Sequence, residues 1–180
     1  MLDVGCGSGR LACILTTRAE RVDALDRSSM MIERARRRCS EAPNLRVLEG
    51  DLLDLAVPLS TSGYDAITAL ASLHHMPLQS ALERLAGLLR PGGVLAVVGL
   101  YRPTTAADRT LELVALPVNA AVGATLALRG RAGKPDDEGM PVCPPSTTLA
   151  ELRSAVRPRL PGATLQRGLF WRYLLTWRRQ

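Results

Sequence analysis

Short apolar segments alternate with amphipathic segments over the first hundred residues. The apolar segments end at glycine or polar residues, which predicts strands, and Met31, Ala35 and Cys39 recur at the four-residue spacing of one helical face. Strands that alternate with helices predict right-handed crossovers and an α/β fold with a parallel, doubly wound sheet. The predicted strands are residues 1–4, 21–25, 45–49, 64–71 and 94–101, and the predicted helices are about 10–18, 29–39 and 78–89.

The alternation stops after Tyr101. Residues 106–129 are rich in alanine and leucine and predict a long helix, whereas residues 130–146 are rich in glycine, proline and aspartate and predict a mobile loop. A helix over 149–156 and two closing strands within 163–178 follow. We expect one domain over 1–180, with a cofactor-binding half (1–102), an acceptor lid (103–147) and a closing helix with strands (148–180).

A glycine-rich turn follows the first predicted strand. Gly5, Gly7 and Gly9 alternate with other residues and lead into a helix that starts near Arg10. Glycine suits a backbone with positive φ or one that lies against a ligand, and the N-terminus of a helix offers unpaired N–H groups to an anion. The pattern indicates a nucleotide-like ligand, although its glycine spacing is shorter than that of dinucleotide dehydrogenases.

Polar residues end each of the next strands and should meet at one edge of the sheet. The Asp26 carboxylate can accept hydrogen bonds from ribose hydroxyls there; the alternative, capping of the next helix, is a task that Ser28 can also perform. Asp51 can accept from an adenine amine and the Leu52 N–H can donate to a ring nitrogen, or Asp51 is only a turn residue. Met31 fits an adenine pocket or the core equally well.

Composition narrows the classes of function. The net charge is +6, but the arginines are scattered and only 3% of residues are aromatic, so we expect no nucleic-acid partner. The four cysteines lack metal-ligand spacing, which predicts no metal site and reduced thiols in a cytoplasmic protein. The most apolar stretch, residues 111–128, is interrupted by charged and polar residues and by proline, so we expect no membrane span. The oligomeric state is left open.

Five motifs in register resemble the class I S-adenosylmethionine-dependent methyltransferases, in particular the type 11 group related to ubiquinone and menaquinone biosynthesis. They are the glycine turn with Asp3, the string Asp26-Arg27-Ser28-Ser29-Met30-Met31, Gly50-Asp51-Leu52, Ser72-Leu73-His74-His75 and Arg90-Pro91-Gly92-Gly93. The resemblance implies a Rossmann-like, mostly parallel sheet of seven strands with a reversed last strand. It implies S-adenosylmethionine as cofactor, with its site among Asp3, Gly5, Cys6, Gly7, Gly9, Asp26, Arg27, Met31, Gly50, Asp51, Leu52 and Leu70.

The implied reaction is methyl transfer by in-line displacement. The apolar character of the predicted lid favours a small organic or lipid-like acceptor. His74 and His75 are the only histidines, and either imidazole can act as the base at the mouth of the cleft, or one of them only shapes the pocket. Two alternatives stay open. The first is a protein that binds S-adenosylmethionine without catalysis. Members of the family usually carry residues before the glycine motif, which here begins at residue 2. The second is a nicotinamide-dependent oxidoreductase.

Overall fold

The computed structural model describes residues 1–105, 108, 125 and 144–180. Its strands are β1 (Leu2–Val4), β2 (Val22–Asp26), β3 (Leu45–Glu49), β4 (Tyr64–Leu70), β5 (Leu89–Leu100), β6 (Thr164–Arg167) and β7 (Arg172–Arg178). Its helices are α1 (Arg10–Thr16), α2 (Ser29–Arg38), α3 (Leu78–Leu88) and α4 (Leu149–Arg159), with a 3-10 turn over Leu73–His75.

The strands form one sheet in the order β3-β2-β1-β4-β5-β7-β6. Strands β1 to β5 run parallel, whereas β7 is antiparallel to both β5 and β6. The order reverses between β1 and β4, because the chain winds outward from β1 in one direction and then returns to continue from β4 in the other. This arrangement confirms the expected Rossmann-like sheet with a reversed last strand.

Helices pack on both faces of the sheet. Ala24 and Leu25 are consecutive residues of β2, so their side chains point to opposite faces, and they belong to two different hydrophobic clusters. Ala24 packs with Ala12 of α1 and Ile32 of α2, whereas Leu25 belongs to the larger cluster that also contains residues of α3 and α4. All three residues of β1 are buried, as expected for the centre of a parallel sheet.

Cys13 in α1 and Cys39 at the end of α2 form a disulfide, with their Cα atoms 5.6 Å apart. The expectation of reduced thiols is therefore wrong for this pair. The two cysteines are 26 residues apart in sequence, and only the side-by-side packing of α1 and α2 brings them together. Cys6 is free and buried, and Cys143 lies outside the described residues.

The closing part of the sheet differs in detail from expectation. The turn predicted at residues 90–93 lies inside β5, where the register with β4 shifts between Tyr64 and Ala66. This segment pairs with the end of the chain, since the Gly92 N–H donates to the Arg179 oxygen at 2.7 Å. The two predicted closing strands form a hairpin whose turn is marked by the left-handed backbone of Phe170 and Trp171, at φ 59° and 55°.

The start of the predicted acceptor lid is marked by a helix-capping pattern. Asp108 is helical, and its N–H donates to the Thr105 hydroxyl at 3.2 Å while its carboxylate accepts from the Thr105 N–H at 2.8 Å. Apart from residues 108 and 125, the predicted helix lies outside the described residues, as does most of the predicted loop. In the described part of the chain, no helix combines the length and the apolar character needed to cross a membrane.

The amino-terminal edge of the sheet carries an ion pair around a buried aspartate. Asp23 in β2 is 1% exposed and accepts two hydrogen bonds from Arg46 of β3, at 2.9 and 2.6 Å. The Tyr64 hydroxyl of β4 also donates to Asp23, at 2.6 Å, and itself accepts from the Ser60 N–H at 3.0 Å. Burial tends to raise the pKa of Asp23, but the bonds from Arg46 and Tyr64 outweigh it and hold the pKa below its ordinary value.

Candidate functional site

A cavity of about 350 Å³ opens at the carboxyl ends of the strands, between β1 and β4. This is the point at which the strand order reverses, where open parallel sheets bind their ligands. Of the residues predicted for the site, it brings together Asp3, Gly5, Cys6, Gly7, Asp26, Arg27, Met31, Gly50, Asp51, Leu52, Leu70 and His75. It does not include Gly9 or His74 in its lining.

The glycine turn is shaped by its contacts within the protein. Gly5 has φ 68°, and a Cβ built on it would lie 2.2 Å from the Cβ of Ser72, so only glycine allows β1 and the segment after β4 to approach. Ser72 reinforces this approach because its hydroxyl donates to the Val4 oxygen at 2.7 Å. Gly9 has φ 80° and packs against Ala35 of α2. Gly9 therefore serves the packing of α1 on α2, outside the cavity lining.

Asp26 is fixed by the backbone on both sides. Its Oδ2 accepts from the Gly7 N–H at 2.8 Å and its Oδ1 accepts from the Ser28 N–H at 2.9 Å. Ser28 is the cap of α2, since its hydroxyl accepts from the Met31 N–H at 3.4 Å. Capping is thus performed by Ser28, and the half-buried carboxylate of Asp26 is held rigidly at the cavity wall. Each carboxylate oxygen has a second lone pair with which to accept from a ligand.

Asp51 lies just after β3, an edge strand of the sheet. Its Oδ1 accepts from the Leu53 N–H at 2.8 Å. Asp51 is therefore a turn residue, which was the alternative to a role in adenine binding. It nevertheless lines the cavity and is exposed, while the next residue, Leu52, is 1% exposed. The segments that carry Asp26 and Asp51 are linked through the backbone, because the Gly50 N–H donates to the backbone carbonyl oxygen of Asp26 at 2.9 Å.

Asp3 has an incomplete set of hydrogen bonds. It is 1% exposed, its Oδ1 accepts from the Thr68 hydroxyl at 2.8 Å, and its Oδ2 is buried with no partner among the described residues. Burial raises the pKa of Asp3 to about 6; the bond from Thr68 opposes this rise, and the nearby charge of Asp26 adds to it. A buried carboxylate oxygen without a partner is costly, so the site favours a cationic or hydrogen-bond-donating ligand group.

The two histidines lie in the 3-10 turn after β4, with ring centres 4.0 Å apart. His75 lines the cavity, whereas His74 lines a separate small cavity of about 10 Å³ together with Tyr101 and Tyr173. Burial lowers the pKa of His75; Arg27 lowers it further and Asp26 opposes the change. Burial and His75 lower the pKa of His74. His75 is thus a neutral imidazole at pH 7 and can accept a proton.

Several cavity residues were missed by the sequence analysis. Ala71 lies at the end of β4 with φ 53°, a left-handed backbone that is unfavourable for alanine and that marks functional sites. Arg10 and Leu11, at the start of α1, follow the glycine turn directly, and that position was the one signal in the sequence that could have found them. The missed lining residues include Ser8, Arg10, Leu11, Ala71, Ser72 and Met76.

A metal centre is not indicated at this edge. Over residues 1–105, 108, 125 and 144–180, no group of three or more His, Cys, Asp or Glu side chains is placed to hold a metal ion. The arrangement instead offers three carboxylates, a glycine turn and a neutral histidine around one cavity.

Comparisons with known proteins agree with this geometry. A family model described as a methyltransferase domain matches residues 1–93. An uncharacterized methyltransferase of Mycobacterium tuberculosis is 40% identical over 179 residues, which are 99% of this chain and 86% of the relative. The 27-O-demethylrifamycin SV methyltransferase of Amycolatopsis mediterranei is 35% identical over 100 residues, 54% of this chain and 37% of the relative.

Solved structures show the same fold. A SAM-dependent methyltransferase from Aquifex aeolicus aligns over 98% of this chain and 80% of its own, with a TM-score of 0.65 and 16% identity. The chain spans 62% of the length of two further matched structures. The family model covers more than half of the chain, and the mycobacterial relative covers nearly all of it. The chain therefore belongs to the methyltransferase family and has the class I, Rossmann-like fold of the matched structures.

Proposed function

We propose that the cavity at the reversal of strand order binds S-adenosylmethionine and that the enzyme methylates a small, largely apolar organic acceptor next to His75. The observation that carries this proposal is the convergence of Asp3, Asp26 and Asp51 on one cavity, with a buried oxygen of Asp3 left without a partner. Asp3, Asp26 and Asp51 lie in or just after β1, β2 and β3, which are neighbours in the sheet, and this order suits a ligand with an amino-acid group at one end and a nucleoside at the other.

The residues present fit each part of that molecule. The unpartnered Oδ2 of Asp3 suits the ammonium group of the amino-acid end, and the rigid carboxylate of Asp26 suits the ribose hydroxyls. The exposed Asp51 and the buried Leu52 suit the adenine end, with Met31 against the ring. When bound, S-adenosylmethionine supplies a methyl group on a sulfonium centre, whose leaving group is a neutral thioether.

The acceptor is expected to be apolar because of the apolar side chains that line the same cavity as His75. They include Leu11, Leu70 and Met76, and Leu70 is 51% exposed although it is a large apolar residue. An exposed leucine at a cavity mouth is typical of a surface that an apolar ligand covers. The relative from Amycolatopsis mediterranei is a methyltransferase of 27-O-demethylrifamycin SV, which is a small organic molecule. The protein's partner is therefore proposed to be a small molecule, with no nucleic acid.

His75 is proposed as the base that removes a proton from an O–H, N–H or acidic C–H acceptor. Its neutral imidazole lines the cavity, and positioned bases contribute about 10²-fold or more to rate. The remaining contribution comes from holding the two reactants together in the cavity. His75→Gln is expected to lower turnover about 100-fold with unchanged donor affinity, and His74→Gln serves as the matched control. Formation of S-adenosylhomocysteine with a panel of phenols, naphthols and reduced naphthoquinones is the readout.

Donor binding is tested by thermal unfolding with S-adenosylhomocysteine, with NADH as the control for an oxidoreductase. A ligand present at one hundred times its Kd stabilises the folded state by about 2.7 kcal/mol, which is a shift of roughly 5–10 °C for a chain of this size. A shift with S-adenosylhomocysteine alone supports the proposal. The absence of any shift in a cooperatively folded sample, or a shift with NADH alone, contradicts it. Binding without turnover on any acceptor supports a non-catalytic binding protein instead.

A further inference from the structure

The hydroxyl of Thr68 holds one oxygen of the Asp3 carboxylate. Asp3 of β1 and Thr68 of β4 are directly paired in the parallel register, so their side chains lie side by side on one face of the sheet. The Thr68 Oγ1 is 2.8 Å from Oδ1 of Asp3 and 3.4 Å from the Leu2 oxygen. Since a hydroxyl has a single proton, the shorter contact with the charged acceptor takes it.

The bond from Thr68 divides the carboxylate into two oxygens with different tasks. Oδ1 is engaged within the protein, whereas Oδ2 is buried with no partner in the described part of the chain, and Asp3 lines the cavity. A carboxylate joined to Cβ rotates broadly about its last torsion, and a bond to one oxygen removes this freedom. The second oxygen is then presented to the cavity in one orientation.

We propose that Thr68 is a positioning residue of the donor site, whose hydroxyl aims the second oxygen of Asp3 at the ammonium group of bound S-adenosylmethionine. This inference rests on the proposed function, because it requires that group to occupy the Asp3 end of the cavity. Thr68 acts through Asp3 and does not line the cavity itself. No local pattern in the sequence marks Thr68 as a site residue.

Thr68 also controls the charge of Asp3. Burial and the charge of Asp26 both raise the pKa of Asp3, and the bond from Thr68 is the opposing influence. Loss of that bond should therefore leave more of Asp3 protonated at neutral pH, when it cannot pair with an ammonium group. The other charged or titratable groups around the cavity are Cys6, Arg10, Arg27, Asp51 and His75; of these, the Cys6 thiol stays neutral because burial raises its pKa.

The test is calorimetric binding of S-adenosylhomocysteine and of 5′-methylthioadenosine, which lacks the amino-acid end, between pH 6 and 8.5. Thr68→Val keeps the side-chain volume and removes the hydroxyl. We expect it to weaken S-adenosylhomocysteine about tenfold at pH 7.5, more at pH 6.5 and less at pH 8.5. Binding of 5′-methylthioadenosine should stay within about twofold of the wild type. Thr68→Ser restores the hydroxyl and should restore both the affinity and its pH profile.

Thr176→Val in β7 is the matched control, since Thr176 is a half-buried strand threonine of the same sheet that does not line the cavity. Thr68→Ala is the second variant if valine unfolds the protein, and it should show the same pattern. Equal weakening of both ligands with no pH dependence would show a merely structural role and overturn the inference, as would unchanged affinity for S-adenosylhomocysteine. Failure of the wild type to bind either ligand would instead contradict the proposed function itself.

Discussion

Two aspartates, Asp3 and Asp23, lie on adjacent strands of the sheet, and each is 1% exposed. Asp23, at the amino-terminal edge, accepts two bonds from Arg46 and one from Tyr64, and its pKa lies below the ordinary value. Asp3, at the carboxyl edge, accepts one bond from Thr68, and burial raises its pKa to about 6. The pKa values of two aspartates with the same exposed fraction are therefore shifted in opposite directions.

The difference shows that burial alone does not identify a binding residue. Both oxygens of Asp23 accept hydrogen bonds within the protein, so the residue links β2, β3 and β4 and leaves no buried oxygen without a partner. Asp3 is left with one unpartnered oxygen beside a cavity, so its cost in the unliganded protein is recovered only when a donor group binds. We expect substitutions at the two positions to separate stability from ligand binding.

The largest expected effect is on stability, from Asp23→Asn. The change removes the negative charge and replaces one acceptor oxygen with an NH2 donor, so the side chain can no longer accept from Arg46 and Tyr64 at both positions, which should lower the free energy of unfolding by about 3 kcal/mol. The corresponding fall in Tm is about 6–12 °C. Chemical denaturation with S-adenosylhomocysteine titration of the folded protein is the check. An unchanged stability, or a fall in donor affinity as well, would contradict the assignment of Asp23 to the stability of the fold alone.

The reverse pattern is expected for Asp3→Asn. The neutral amide cannot pair with an ammonium group, so affinity for S-adenosylhomocysteine should fall about 30-fold, which corresponds to about 2 kcal/mol. The free energy of unfolding without ligand should stay the same or rise, because a buried, partly unsatisfied charge has been removed. Calorimetry and denaturation of the same preparation measure both quantities. Retained affinity would remove Asp3 from the donor site.

The two aspartates should also oppose each other in the pH dependence of stability. The raised pKa of Asp3 means that the folded state binds this proton first, so its contribution favours folding at pH 4 and is lost as the pH rises through about 6, by about 2 kcal/mol. The lowered pKa of Asp23 means that its contribution is present above about pH 4 and is lost as the pH falls below it.

The histidines require a control in that experiment. The pKa values of His74 and His75 are lowered, so their contributions are lost as the pH falls below about 6.5, in part of the window in which Asp3 acts. The difference between the wild type and Asp3→Asn cancels the histidine contribution and isolates Asp3. A difference that does not change between pH 4 and pH 7 would show that Asp3 titrates as an ordinary carboxyl group.

The smallest expected effect belongs to Tyr64→Phe. It removes the hydroxyl that bonds to Asp23 and to the Ser60 N–H but leaves the Arg46 pair intact, so the cost should be about 1 kcal/mol. Donor affinity should be unchanged. Denaturation curves in urea with equal slopes for the two proteins provide the measurement. A loss as large as that of Asp23→Asn would mean that Tyr64, and not Arg46, stabilises the network.

The sequence could predict the features whose signal is local. The turn of Gly5, Gly7 and Gly9, the strand ending at Asp26 and the order of strands and helices each depend on neighbouring residues, and the structure confirms the fold that they imply. The helix cap at Ser28 could also be predicted, since the capping side chain accepts a hydrogen bond from a backbone N–H of the same turn. These local signals were sufficient to predict most of the residues that line the cavity among the candidates for the donor site.

The tertiary structure decided what depends on residues far apart in the chain. Thr68 and Asp3 are 65 positions apart, Tyr64 and Asp23 are 41 apart, and Cys13 meets Cys39 across two helices. The separation of His75 from His74 likewise required the 3-10 turn and the two cavities on its sides. Composition and spacing specify which strands and helices form, but strand register and helix packing specify which side chains touch. Whether a buried aspartate supports the fold or binds a ligand is therefore fixed by those contacts.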